Sequence, residues 1–219
     1  MSVPIDDAVT VALLRDGEHG IETWLLTRVR QMVFAPGMSV FPGGRVEEVD
    51  AVADVPAQAI SLTASRFGCS AAMARSLLGA GVRETQEETG VRFADASALR
   101  PFARWVTPEH APRRYDTRFF LAALPAGAQP ANVTTESSVS TWVPVARALE
   151  EVEGRSRLML PPTIVTCGWL AQHDRVAAAL AAADAEPIHV ERPFVVTADG
   201  RSSTTLSDGR VIEAWRELG

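Results

Sequence analysis

The chain has 219 residues, 47% hydrophobic and 22% charged, with a formal net charge of −6. These proportions fit one well-packed globular domain, and they exclude two functions: the acidic balance argues against a nucleic-acid partner, and no apolar run approaches the roughly 18 residues of a membrane span. The N-terminus, MSVPIDDAVT, carries acids where an export signal carries bases, so a cytoplasmic location is expected. Cys69 and Cys167 stand too far apart for a paired metal or redox motif and are expected as buried thiols.

Residues 8–14 and 22–28 (ETWLLTR) are apolar runs separated by RDGEHG, which predicts a β-hairpin turning at Asp16-Gly17. FAPGMSVFPGG follows, Phe34 to Gly44, with a short strand at Ser39 to Phe41 and a glycine end where backbone can approach a ligand closely. Residues 45–69 offer one short helix, over 57–67. Ser70 is placed to cap the next helix, which runs to Thr89 and stops at Gly90. Gly81 inside it costs about 1 kcal/mol relative to alanine unless a close contact excludes a side chain there.

Further along, 101–107 (PFARWVT) and 118–125 (RFFLAALP) predict strands around a polar loop, PEHAPRRYD, and VSTWVPV predicts a strand ending at Pro144. Residues 146–155 and 161–185 read as two helices, the second opening on prolines. Asp199-Gly200 and Asp208-Gly209 mark turns in a β-like tail. Strands and helices interleave without strict βαβ alternation, so the expected fold class is α/β of the α+β kind, a mixed sheet covered by helices.

The octet Arg83 to Gly90, RETQEETG, carries the chemistry. At about 100° per residue, Glu84, Glu87 and Glu88 fall within one arc, while Ala74, Leu78, Val82 and Thr85 gather on another face. Three carboxylates so close repel one another, by roughly 3 kcal/mol per pair at about 5 Å and an effective dielectric near 20. A hard divalent cation such as Mg²⁺ or Mn²⁺ would reverse that sign. The bland alternative is a solvated acidic helix face, where the repulsion is only tenths of a kcal/mol.

Arg83 to Val91 resembles the signature helix of the Nudix hydrolases, G-x5-E-x7-R-E-U-x-E-E-x-G-U with U aliphatic, and Phe41-Pro42-Gly43-Gly44 resembles the glycine loop that opens it. Two departures stand out. Thr85 occupies an aliphatic position, and the stretch from Gly44 to Arg83 is far longer than the pattern permits, leaving Glu47, Glu48 and Asp50 as candidates for the first glutamate. A branch similar to the peroxisomal-type coenzyme A and acyl-coenzyme A diphosphatases carries an insertion at this point, which would correspond to about 45–69. FAPGMSVFPGG, PRRYDTRFFLA and the LPPT run at Leu160 to Thr163 also resemble that branch, whereas its coenzyme A signature is only partly echoed, by LLTR and VFPGG.

The resemblance implies one domain over 1–219, an α/β/α sandwich with a catalytic helix, and a helical and β extension from about 160. It implies metal-dependent hydrolysis of a pyrophosphate linkage in a small nucleoside diphosphate derivative, coenzyme A or acyl-coenzyme A first, with ADP-ribose, NADH or a nucleotide sugar as the rival substrate. A Nudix-like module that binds a nucleotide without cleaving it is the rival of another class. The metal ligands implied are Glu84, Glu87, Glu88 and the Gly44 carbonyl. Glu84, Arg83 and Glu136 are the catalytic candidates, Arg83 more as an orienter of carboxylates than as a substrate contact. Arg45, Arg113 and Arg118 are candidates for holding an anionic substrate. Trp105, Trp142 and Trp169 read as core residues, one of which could stack on an adenine, and a homodimer is an expectation from the family.

Overall fold

A computed structural model describes residues 3–28, 37–109, 111–133, 137–198 and 201–214. Its central feature is β1 (Ile5–Gly17), whose odd and even residues are buried alike. Val9, Val11 and Leu13 point to one face and Ala12 and Leu14 to the other, the pattern of a strand covered on both sides. β2 (Gly20–Arg28) returns antiparallel, with Leu14 opposite Thr23 and Gly17 opposite Gly20.

The hairpin turn therefore falls on Glu18-His19, two residues beyond the expected Asp16-Gly17. Gly20, at φ +103°, supplies the left-handed residue, and Asp16 is engaged elsewhere, its carboxylate accepting the backbone N–H of Val176 at 2.7 Å.

The short strands β3 (Ser39–Val40) and β4 (Gly43–Arg45) pair with β2 and β1 respectively. On the other edge of β1, β6 (Arg114–Ala123) runs parallel from Ile5–Arg114 to Leu14–Ala123. β5 (Arg100–Val106) is antiparallel to β6, β8 (Val190–Glu191) is parallel to β5, and β7 (Ser137–Pro144) is antiparallel to β2. This makes a mixed eight-stranded sheet. β6 begins four residues before the apolar run that predicted it: Arg114 to Asp116 pair with Ile5 to Asp7, and Arg104 holds Asp116 with two hydrogen bonds of 2.8 and 2.6 Å. Ladder and ion pair together override the low β propensity of charged residues.

Helices α1 (Ala57–Phe67) and α2 (Ala71–Thr89) cover the Val9–Val11 face, burying Phe67, Leu77 and Leu78 with Phe120. On the opposite face α3 (Val145–Glu153), α4 (Pro161–Leu170) and α5 (Val176–Ala185) bury Ala148, Cys167, Leu170 and Ala179 against Leu14 and Leu121. The result is the expected α/β/α sandwich. Residues 161–185 form two helices rather than one, because the chain turns at Ala171 and Asp16 captures the first N–H of α5.

β9 (Phe194–Ala198), β10 (Arg201–Thr205) and β11 (Val211–Ala214) form a second, three-stranded antiparallel sheet. Its β10–β11 turn contains Asp208-Gly209, with Gly209 at φ +85°, while Asp199-Gly200 lies outside the described residues.

α2 starts and stops where the sequence predicts. The Ser70 hydroxyl accepts from Met73 N at 3.1 Å, a cap worth about 1 kcal/mol, and Gly90 closes the helix in the left-handed region. Gly81 leaves room for Leu99: a Cβ there would stand 2.8 Å from Leu99 Cδ1.

Candidate active site

β4 and α2 meet through two glycines. A Cβ on Gly43 would stand 2.8 Å from Thr10 Cα, and one on Gly44 would stand 2.8 Å from Glu84 Oε2. The first glycine lets β4 close on β1. The second leaves the space that the Glu84 carboxylate fills. Gly43 N–H donates to Glu88 Oε2 at 2.9 Å, so a helix side chain is tied to the glycine strand across 45 positions of sequence.

Arg83 organises the remaining acids. Its Nε and Nη2 donate to Asp50 Oδ1 and Oδ2, each at 3.0 Å; Nη1 donates to Glu84 Oε1 at 2.8 Å and Glu87 Oε2 at 3.2 Å; and Nη2 also donates to the Arg45 carbonyl at 3.0 Å. These partners use all five N–H donors of a guanidinium. Asp50 is buried, and its Oδ2 also accepts Glu47 N–H at 2.8 Å. The Asp50 bonds are the foremost reason that the Arg83 guanidinium is held even more firmly protonated than usual.

The three glutamates are not equivalent, although the helical wheel puts them in one arc. Glu87 is 58% exposed, Glu84 14%, and Glu88 lies at the buried edge of the helix. Burial raises the Glu84 carboxyl above the ordinary carboxylate range; Arg83 opposes that shift, and the nearby charges of Glu87 and Glu47 add to it. A cation at this face would relieve both the desolvation and the repulsion.

Among the described residues, no group of three or more carboxylate, imidazole or thiol side chains is assembled that could hold a metal ion. The donors are instead an open face of hard oxygens. That fits Mg²⁺ or Mn²⁺, which binds through one or two carboxylates and completes its shell with waters and substrate phosphates.

Thr85, at the aliphatic position of the motif, is fully buried with its hydroxyl donated to the Gly81 carbonyl at 2.7 Å. The polar substitution is thereby satisfied within the helix. Thr89 does the same toward the Thr85 carbonyl at 2.6 Å.

The arginines expected at the substrate are placed differently from one another. Arg45 projects from β4 with its side chain exposed and 3.9 Å from Asp6. Arg113 is exposed just before β6. Arg118 corrects the sequence reading: it is buried on β6 with its guanidinium on Asp7 and Asp116, an internal ion-pair position rather than a surface open to a ligand. Glu136 lies outside the described residues. Cys167 is buried as expected, its thiol pushed up to about 12 by desolvation, whereas Cys69 is only half-buried.

The residue that sequence reasoning left undecided is Asp50. It stands six after Gly44, where the motif has its first glutamate, and the structure gives it the bidentate contact to Arg83. Gly79 was missed altogether: a Cβ there would stand 2.8 Å from the Asp50 carbonyl, so this glycine lets the 3₁₀ turn Glu48–Val52 seat on α2. A glycine inside a helix, four residues before the motif arginine, was the available signal.

A NUDIX domain model matches residues 4–161. The chain belongs to the NUDIX domain family, and by class it is a Nudix hydrolase. Among solved structures it is similar to a NUDIX hydrolase from Alicyclobacillus acidocaldarius, with a TM-score of 0.68 at 23% identity over 82% of this chain and 96% of that one. It is also similar to the NUDIX domain of Shewanella oneidensis NrtR complexed with ADP ribose, with a TM-score of 0.52 at 13% identity over 77% and 87% of the two chains. A MutT protein from Bacillus halodurans gives a TM-score of 0.50 at 13% identity over 95% of each chain. At these identities the likeness establishes the fold. No curated protein matches the chain. No helix among the described residues is long and apolar enough to cross a membrane.

Proposed function

We propose that the protein hydrolyses the pyrophosphate linkage of a small nucleoside diphosphate derivative with Mg²⁺ or Mn²⁺, and that coenzyme A or an acyl-coenzyme A is the substrate to test first. The observation that carries the reaction is the Arg83 hub: one guanidinium fixes Asp50, Glu84 and Glu87, while Gly43 fixes Glu88. Glu84, Glu87 and Glu88, with a Gly44 carbonyl, would hold the cation. A divalent ion held there would supply charge neutralisation at the phosphate oxygens and a lowered pKa for a bound water.

The chain's own residues supply position. Arg83 spends its donors on the acids and the β4 backbone, so it orients the carboxylates rather than gripping substrate. Gly44 keeps the space beside Glu84 open to the glycine strand. Glu84, held partly desolvated, is the carboxylate best placed to accept a proton from the attacking water, and Glu136 is the second candidate for that role. Exposed Arg45 and Arg113 offer charge to the anionic substrate.

Coenzyme A rests on the resemblance of FAPGMSVFPGG, PRRYDTRFFLA and LPPT, with the extra chain between Gly44 and Arg83. ADP-ribose is the rival, favoured by the NrtR domain of the same fold, which holds that ligand. Purified protein incubated with Mn²⁺ and a panel of coenzyme A, acetyl-coenzyme A, ADP-ribose and NADH decides between them. Release of 3',5'-ADP from coenzyme A is expected, and EDTA should stop it. Cleavage of ADP-ribose with coenzyme A untouched overturns the substrate, and turnover persisting in excess EDTA overturns the metal role.

A further inference from the structure

β3 is two residues long, and it leads directly into Gly43, whose N–H donates to Glu88. A ladder of that length is too short to fix a strand by itself, since strands of globular proteins usually run about 3–10 residues. The missing support comes from the link between α3 and α4. Ser39 N–H donates to the Leu158 carbonyl at 2.8 Å, Ser39 and Met159 form a parallel bridge, and Met159 lies in the same core cluster as Phe41.

One side chain closes this link. Arg157, with 16% of its side chain exposed, donates from Nε to Glu151 Oε2 at 2.8 Å and from Nη1 to Ser39 Oγ at 2.8 Å. Glu151 belongs to α3, and Ser39 stands 118 positions before Arg157. The Ser39 hydroxyl also lies 3.3 Å from Thr27 Oγ1 of β2. A donor that carries charge thus joins helix, link and strand at one buried serine.

Beyond Ser39 the hold passes to β1: the Pro42 carbonyl accepts Val11 N–H at 2.8 Å, and Gly43 pairs with Thr10. The backbone between the Ser39 and Pro42 anchors is short, and it delivers the two glycines that border Glu84 and Glu88. A site built from side chains tolerates errors of only about 0.5 Å in its supports, so a loosened β3 would reach the carboxylates.

We infer that Arg157 is a positioning residue of the carboxylate face, fixing the glycine strand through Ser39 rather than by touching metal or substrate. The inference rests on the proposed binding of a divalent cation by Glu84, Glu87 and Glu88, and it adds a support for that site from the α3–α4 link.

Amide hydrogen exchange of the full chain in EDTA, read by NMR, and Mn²⁺ binding, read by electron paramagnetic resonance, test it together. Arg157→Ala should speed exchange of the Gly43 N–H, weaken Mn²⁺ roughly tenfold, the low end for loss of a group that orients metal ligands, and leave the β5–β6 ladder as protected as in the wild type. Ser39→Ala, the smaller change, should act in the same direction and keeps the test decisive if Arg157→Ala does not fold. In the double variant the Mn²⁺ loss should fall well short of the two single losses combined, because both break one bond. Arg147→Ala removes the other partner of Glu151, a 2.8 Å bond from an exposed side chain, and should leave both readings unchanged.

Unaltered Gly43 exchange, acceleration spread equally over β5 and β6, or unaltered Mn²⁺ affinity alongside faster Gly43 exchange overturns the inference. Wild-type protein that binds no Mn²⁺, with Gly43 exchange still answering to Arg157, would sink the metal reading and leave the hold of Arg157 on the glycine strand standing.

Discussion

Arg83 and Asp50, 33 positions apart, are joined by two parallel hydrogen bonds of 3.0 Å, and the same guanidinium reaches Glu84 and Glu87. The pair ties the 3₁₀ turn Glu48–Val52 to the carboxylate helix. Among the described residues, Arg83 is the one cation paired with Asp50, which is 3% exposed.

Removing that cation strands a buried carboxylate. Arg83→Ala is expected to lower unfolding free energy by roughly 3 kcal/mol, and Asp50→Ala by a similar amount. The double variant should cost far less than the sum, because each single change already breaks the pair. Urea titrations of the four proteins measure this directly, and additive losses would contradict the pairing.

Gly43 and Gly44 should respond differently to a methyl group. Gly43→Ala presses on the β1 backbone and should destabilise the fold by about 1–3 kcal/mol. Gly44→Ala presses on the Glu84 carboxylate instead, so it should displace the acid and impair Mg²⁺-dependent turnover while costing less stability. Thermal melts and activity measured side by side separate the two.

Glu87 is the exposed member of the trio, so its removal should be felt in chemistry and not in folding. Glu87→Gln is expected to reduce turnover on the order of 100-fold, as for loss of a charged metal ligand, with stability changed by no more than about 0.5 kcal/mol. Wild-type turnover in this variant would remove α2 from the reaction.

The Cys167 thiol gives a pH dependence with a definite sign. Burial pushes it up to about 12, so above the ordinary thiol value the folded state keeps a proton that the unfolded chain has lost. Stability therefore falls as pH rises through the window from about 9 to about 12, by about 1.4 kcal/mol per pH unit from this group. Alkaline urea titrations should show a shallower decline in Cys167→Ala, despite the lower starting stability that its cavity brings. An unchanged slope would count against a buried neutral thiol.

Local rules were enough for much of the architecture. Ser70 and Gly90 bound α2 because a hydroxyl cap and a left-handed glycine act within a few residues, and helix α1 fell on 57–67 as its composition indicates. The carboxylate face of α2 was legible for the same reason, since a helix fixes the angle between residues three and four apart. Where long-range contacts compete, local reading fell short. The hairpin turn moved because Asp16 caps α5, the helix over 161–185 divided at the same contact, and charged Arg114 to Asp116 became strand because β1 and Arg104 receive them.

By itself, then, the sequence determined that three glutamates share one helical surface behind a glycine loop, because helical geometry is periodic and short-ranged. Only the tertiary structure decided that Asp50 is the acid on Arg83, that Glu88 is anchored by Gly43 while Glu87 stays open to solvent, and that Arg118 is internal. Each of these depends on strands and helices distant in sequence being pressed to within hydrogen-bonding or van der Waals distance, which no local pattern encodes.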